Sequence, residues 1–233
     1  MRSARFITFE GGEGSGKSTQ AKRLAARLQR MGLGVTLTRE PGGSPFAERL
    51  RALLLDPATE PHGALAEALV FYAARADHLE QLIRPALAAG RHVICDRFSD
   101  STRIYQGYAG KLPAKILEAL DLIVVQSTTP DLTVIIDIPA EIGLARAALR
   151  HGDVQTDDKR ASLGPTVRQP RSLLADRFEG RDLAFHKKLR EGFLAIARNE
   201  PQRCIVVDGQ KSPDEIEELI WAAVARLLDC EAA

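Results

Sequence analysis

Gly11-Gly12-Glu13-Gly14-Ser15-Gly16-Lys17-Ser18, near the start of the chain, has the composition of a loop that wraps phosphate. Its glycines let consecutive backbone N–H groups turn toward an anion where a Cβ would block approach. Lys17 adds a cation that can reach β- and γ-phosphates, and the Ser18 hydroxyl is a hard oxygen suited to Mg²⁺. The spacing Gly-x4-Gly-Lys-Ser, followed by Thr19, matches the phosphate-loop pattern in full. Such a loop holds a nucleoside triphosphate, here read as ATP. It leaves the acceptor open, because GTPases, motor ATPases and small-molecule kinases all use it.

The flanking segments give the loop a strand before and a helix behind. Arg5–Glu10 predicts a short buried strand, and Ala21, Leu24, Ala25 and Leu28 recur at helical spacing over Ser18–Met31. Gly32 and Gly34 stop that helix, and Val35–Thr38 predicts a second strand, completing a βαβ unit. His92–Asp96, Leu132–Asp137 and Arg203–Val207 predict further strands. Helices are expected over Ala47–Leu55, Ala64–Ala89, Ala114–Val125, Pro139–Arg150, Glu179–Arg198 and Pro213–Leu228, with a bend or restart at Pro85. Arg39–Gly43 and the stretch after Asp96 through Lys111 read as polar loops. Strands alternating with helices predict an α/β fold with a five-stranded parallel sheet flanked by helices. His151–Ala175 lacks periodicity and reads as a lid insertion, which with its flanks takes residues 150–178. Nothing divides residues 1–233, so a single domain is expected.

Composition narrows the function classes. The chain of 233 residues balances 32 Lys and Arg against 31 Asp and Glu, which argues against a bulk polyanion such as nucleic acid as partner. No apolar run approaches the roughly 20 residues of a membrane span, and Phe6–Phe9 is too short for a signal-peptide core. Cys95, Cys204 and Cys230 show neither pairing nor metal-type spacing. The expectation is a cytoplasmic protein with reduced thiols and no membrane partner.

Several residues could read an acceptor. Arg39 and Arg97 each follow a predicted strand, at the carboxyl edge where open α/β sheets bind ligands, and two guanidinium groups can clamp a phosphate. The alternative for each is a surface ion pair; removing Arg97 is expected to cost activity severely with little loss of stability. Phe71 and Arg75 lie four apart on a predicted helix and share a face, Phe71 being equally suited to a packed core. Asp96 and Asp137 both end apolar strands and compete to face the metal, although Asp137 could instead cap the next helix.

Five further segments complete a family pattern: Phe9-Glu10-Gly11, Thr38-Arg39-Glu40-Pro41-Gly42-Gly43, Leu69 through Arg75, Asp96-Arg97-Phe98, and Ser101 through Gly107. Together they closely resemble bacterial thymidylate kinases, which convert dTMP and ATP to dTDP and ADP. Asp137-Ile138-Pro139 and Asp176 through His186 fit as well, so the resemblance spans about residues 5 to 228. It implies a three-layer P-loop kinase fold and a homodimer. It implies that Gly11 to Thr19 and Arg146, which could stack on adenine, hold ATP, and that Ser18 and Asp96 serve Mg²⁺. For dTMP, it implies that Arg39 and Arg97 hold the phosphate, Phe71 stacks on thymine and Arg75 reaches its O4. Glu13 would contact the sugar 3′-hydroxyl, and Tyr105 would crowd the 2′ position. Ser101, Thr102 and Gln106 are expected at the base or sugar.

Catalytic charge is expected from Lys17, Arg97 and the lid, because the loop lacks an arginine. Arg177 matches the family segment, with Arg146, Arg150, Arg160, Arg168 and Arg171 as other candidates. Two departures stand out: the lid is longer than the family's, and Lys111 stands near the place of a family arginine after Gln106-Gly107. Two rival readings remain at this point. One is a deoxynucleoside kinase using Glu10 as base, and the other a nucleotide switch or ATPase.

Overall fold

The computed structural model of the protein describes residues 4–56, 59, 63–157 and 180–229. Strands β1 (Phe6–Glu10), β2 (Val35–Arg39), β3 (His92–Asp96), β4 (Leu132–Asp137) and β5 (Cys204–Asp208) form one sheet in the order β2-β3-β1-β4-β5. Every neighbouring pair is parallel. All strands therefore end at one edge, and Glu10, Arg39, Asp96, Asp137 and Asp208 stand along it. Chain order reverses about β1, which opens a crevice at that edge.

Alternation along the strands sorts the core onto two faces. Ile7, Phe9, Ile94, Val134 and Ile136 pack beneath α1 (Lys17–Arg30) and the closing helix, Pro213–Asp229. Phe6, Val93 and Cys95 point the other way, into a cluster with Ala68 and Tyr72 of α3 (Ala64–His78) and Leu117 of the helix Ala114–Val124. Ile135 joins Ile104, Leu189 and Phe193 in a third cluster. Each buried large apolar side chain contributes about 1.5–3 kcal/mol, which fixes which face of each strand turns inward.

The remaining helices, in chain order, are α2 (Pro45–Leu55), α4 (Arg84–Ala88), α5 (Ser99–Thr102), α6 (Ala114–Val124), α7 (Ala140–Asp157), α8 (Leu183–Asn199) and α9 (Pro213–Asp229). The element order matches the sequence expectation, and the restart expected at Pro85 is seen as α4, which opens at Arg84 with Pro85 in its first turn after a π-helical turn at Leu79–Ile83. Two corrections stand. The expected polar loop after Asp96 is helical: α5 runs into a π-helical segment, Arg103–Ala109, in which Ile104, Tyr105, Gln106 and Gly107 are all buried. Finally, α7 continues to Asp157, seven residues beyond the expected end at Arg150, and α8 begins at Leu183, where the Asp182 carboxylate accepts from Phe185 N–H (2.7 Å). The rest of the expected lid, with Arg160, Arg168, Arg171 and Arg177, lies outside the described residues, as does Cys230.

Candidate active site

The glycine loop turns on residues that only glycine tolerates. Gly14 holds φ +65° and lies so close to α7 that a Cβ would fall 1.9 Å from Gly143 O. The contact is mutual, since a Cβ on Gly143 would stand 2.4 Å from Glu13 O. Two backbones thus meet where no side chain fits, and α7 props the loop from behind.

Lys17 folds back over the loop and donates to Gly12 O (2.6 Å) and Ser15 Oγ (3.2 Å). Burial is the main force that drives its pKa down to about 8; Arg97 adds to this, while Glu13, Asp96 and Glu10 oppose it. The Ser18 hydroxyl bonds Asp96. Asp137 faces elsewhere, gripping the Arg190 guanidinium with both oxygens (2.7 and 2.8 Å). Of Asp96 and Asp137, only Asp96 is thus brought to the loop.

Arg97 follows directly in a left-handed conformation, φ 69°, uncommon for a residue with a side chain. Its guanidinium donates to Glu13 Oε1 (2.7 Å), Gly11 O (3.2 Å) and Ser101 Oγ (3.1 Å), and lies 5.1 Å from the Tyr105 ring centre. Burial opposes the Arg97 charge, but Glu13 leads the groups that outweigh it, and its pKa ends above the usual value. Burial would likewise raise Glu13, yet Arg97 and then Lys17 hold it down at about 2. The Tyr105 hydroxyl donates to the same Glu13 oxygen (2.6 Å), and burial pushes its own pKa well up.

A second buried group lines the same cleft. Arg75, 1% exposed, donates through Nε to Glu40 Oε2 (2.8 Å) and through Nη2 to Thr102 Oγ1 (3.0 Å). His78 supports Glu40 from the other side at 3.0 Å. The remaining Arg75 nitrogen, Nη1, is buried without a hydrogen-bond partner among the described residues. Gln106 donates to Glu67 (3.0 Å), and Phe71 is half-buried.

These groups line one cleft of about 290 Å³. Its walls bring together Glu13, Gly14, Ser15, Gly16, Lys17, Ser18, Thr19, Arg39, Phe71, Arg75, Asp96, Arg97, Ser101, Thr102, Tyr105 and Gln106. Gly11 and Gly12 shape the loop without lining that cleft. Arg39 pairs with Glu48 (3.0 Å to each oxygen) and stays half-exposed. Arg146 stands outside the cleft, donating to Gly209 O (2.8 Å) behind the loop. Arg51 and Leu55 also line the cleft and were not singled out from the sequence, and Glu40, Pro41 and Phe98, quoted there only within family segments, line it too. For Arg51 a signal existed: it lies four residues after Ala47 and four before Leu55, on the buried stripe of α2. Burial, then Arg39, lowers its pKa, and its guanidinium donates to Pro41 O (2.7 Å).

Among the described residues, no cluster of three or more His, Cys, Asp or Glu could hold a metal. The oxygen pair Ser18 and Asp96 suits an ion that draws its other ligands from phosphate and water, the habit of Mg²⁺. Chemically, the cleft can hold a polyphosphate on the loop and a second anion facing it, with cations between them.

Comparison with known proteins gives a consistent answer. The thymidylate kinase family model matches residues 9–220. A thymidylate kinase of Rhodopseudomonas palustris is 51% identical over 97% of this chain and 90% of its own length. One from Nitrobacter winogradskyi is 48% identical over 98% of this chain and 92% of its own. The crystal structure of thymidylate kinase from Ehrlichia chaffeensis superposes with a TM-score of 0.70 at 31% identity, covering 95% of this chain and 99% of that one. With sequence, fold and cleft in agreement over nearly its full length, the chain belongs to the thymidylate kinase family.

Proposed function

We propose that the protein transfers the γ-phosphoryl group of ATP to the phosphate of dTMP, giving dTDP and ADP. The observation that carries this reading is the meeting of two anion-binding groups in one cleft: Lys17 with the glycine loop, and the arginines Arg39, Arg51 and Arg97. A phosphate oxygen of dTMP attacks the γ-phosphorus while the bond to the bridging oxygen of ADP breaks. That nucleophile is already anionic, so no protein base is needed, and the protein contributes positioning and charge. Lys17 and Arg97 neutralise charge on the migrating group, and Arg39 orients the acceptor phosphate.

The base and sugar readings follow the same walls. Phe71 stacks on thymine, and the free donor of Arg75 meets its O4 carbonyl, an acceptor that the cytosine amino group does not offer. Glu13 and Tyr105 contact the deoxyribose, with Ser101, Thr102 and Gln106 beside it. Gly11 through Thr19 cradle ATP, and Arg146, outside the cleft, meets the adenine end. Ser18 and Asp96 would hold Mg²⁺, which would supply positive charge against the phosphates. The Glu10 carboxylate is engaged by Phe98 N–H and by Ser101, which speaks against a hydroxyl acceptor that would need it as base.

Further parts of the reading concern the assembly. A homodimer is supported by exposed apolar side chains on α2, α3 and α6. A cytoplasmic location agrees with the free thiols of Cys95 and Cys204 and with the absence, among described residues, of any helix able to cross a membrane. The test is ADP release from ATP and Mg²⁺ with each nucleoside monophosphate in turn. Release that depends on dTMP and stops on chelation is expected; release indifferent to dTMP favours an ATPase.

A further inference from the structure

Glu10 ends β1, immediately before the glycine loop, and its side chain is completely buried. Neither the loop chemistry nor the acceptor contacts described above use it. A buried carboxylate needs a reason to persist, since burial disfavours its charge. Its oxygens reach across to the segment after β3. Oε1 accepts from Phe98 N–H (2.7 Å) and Ser101 N–H (3.3 Å), and Oε2 accepts from the Ser101 hydroxyl (2.6 Å).

Between those anchor points and the strand lies Arg97, whose φ of 69° is costly for any residue with a Cβ. Such a conformation persists only where its surroundings over-determine it. On one side the Arg97 N–H bonds Phe9 O (2.9 Å), which continues the sheet. On the other, Glu10 captures the very next N–H. Ser101 Oγ, while donating to Glu10, accepts from Arg97 Nη1 (3.1 Å). Backbone turn and guanidinium are thus tied to one carboxylate.

We propose that Glu10 is the positioning residue for Arg97: by holding Phe98 N–H and Ser101, it fixes the left-handed turn that lays the guanidinium on the glycine loop. The catalytic consequence rests on Arg97 serving dTMP as argued above, whereas the positional claim does not. The device senses protonation. A protonated Glu10 must donate its own hydrogen, and Ser101 Oγ is the hydroxyl within reach. Ser101 would then accept from Glu10, and its hydrogen would lose its partner.

The groups within electrostatic reach of Glu10 are Asp100 and Arg97 after β3, Cys95 within β3, and Lys17 on α1. Burial first, and then Asp100, raise the Glu10 pKa to about 7, while Arg97 opposes. The switch would therefore work near neutrality.

The test is Glu10→Gln against wild type in dTMP-dependent ADP release, over pH 6 to pH 9. In the variant, kcat is expected to fall at least tenfold and the dTMP KM to rise, with the ATP KM unchanged. Wild-type kcat/KM for dTMP should fall as pH drops through about 7. The variant should keep only the limb near 6 belonging to the acceptor phosphate itself. Its melting midpoint at pH 8 should not lie below that of wild type, which separates lost positioning from unfolding. A variant within twofold of wild type in kcat and dTMP KM, with an unmoved acid limb, overturns the proposal. So does a crystal structure of Glu10→Gln in which Arg97 keeps its left-handed turn and its bond to Glu13. A wild-type enzyme without dTMP-dependent release refutes the functional reading instead, and that crystal structure then decides the positional claim alone.

Discussion

At the scale of single residues, the cleft is an arrangement of opposed charges, with Arg97 at its centre. Glu13, Gly11 O, Ser101 and the Tyr105 ring all hold its guanidinium. From sequence, its removal would be expected to spare stability; the structure changes that expectation. Arg97→Ala leaves Glu13 without its principal counter-charge inside a largely buried site. Breaking a buried pair costs about 3–5 kcal/mol, and the 17% exposure of each partner tempers this to roughly 2 kcal/mol. Chemical denaturation should read that loss, alongside a drop in dTMP turnover of a hundredfold or more. An active, equally stable variant would remove Arg97 from its role. Glu10 has the opposite linkage sign. Its folded pKa of about 7 exceeds the ordinary 4.5, so its stabilising contribution is complete below 4.5 and lost as pH rises through 7. The charged form therefore costs about 3 kcal/mol at pH 8, which is why Glu10→Gln can lose activity without losing stability.

At the scale of elements, the glycine loop and α7 meet through Gly14 and Gly143. Helix propensity alone predicts that Gly143→Ala stabilises α7 by about 1 kcal/mol. The contact predicts otherwise, because the new Cβ would lie 2.4 Å from Glu13 O and must push the loop away. The expected result is a raised ATP KM with no gain in melting temperature; a stabilised variant with wild-type ATP KM would show that the loop tolerates displacement. That glycine pair was not legible in the sequence, since neither residue announces its partner. Much else was legible. The strands read clearly because short apolar runs end at charged residues, and the glycine loop because strand and helix flank it. Arg103–Ala109 misled, as Gln106 looks solvent-facing until Glu67 is seen to accept its amide within the core. Four consecutive buried positions fit neither a 3.6-residue nor a two-residue period. Asp96 and Asp137 were indistinguishable by strand position; the Ser18 hydroxyl on Asp96 and the Arg190 side chain on Asp137, 53 residues away in the chain, separate them.

At the scale of the whole molecule, the parallel sheet carries Glu10, Arg39 and Asp96 to one edge and leaves helices to cover both faces. One part of that cover remains apolar outside: Phe46 and Leu53 on α2, Leu65 and Leu69 on α3, Leu122 and Ile123 on α6, each at least 45% exposed. Since α2 packs on α3 and α3 on α6, these side chains belong to adjoining helices. A homodimer through this surface predicts that Leu122→Glu, altering a side chain 77% exposed, shifts sedimentation from dimer to monomer. A wild-type protein that sediments as a monomer would dismiss that assembly. The glycine loop leaves the acceptor open, whereas arginines in the same cleft suit one that carries a phosphate. The acceptor is tested most directly by ADP release from ATP and Mg²⁺ with dTMP, dCMP, dUMP or thymidine. The highest kcat/KM is expected for dTMP and no turnover for thymidine; turnover of thymidine with inert dTMP would overturn the assignment.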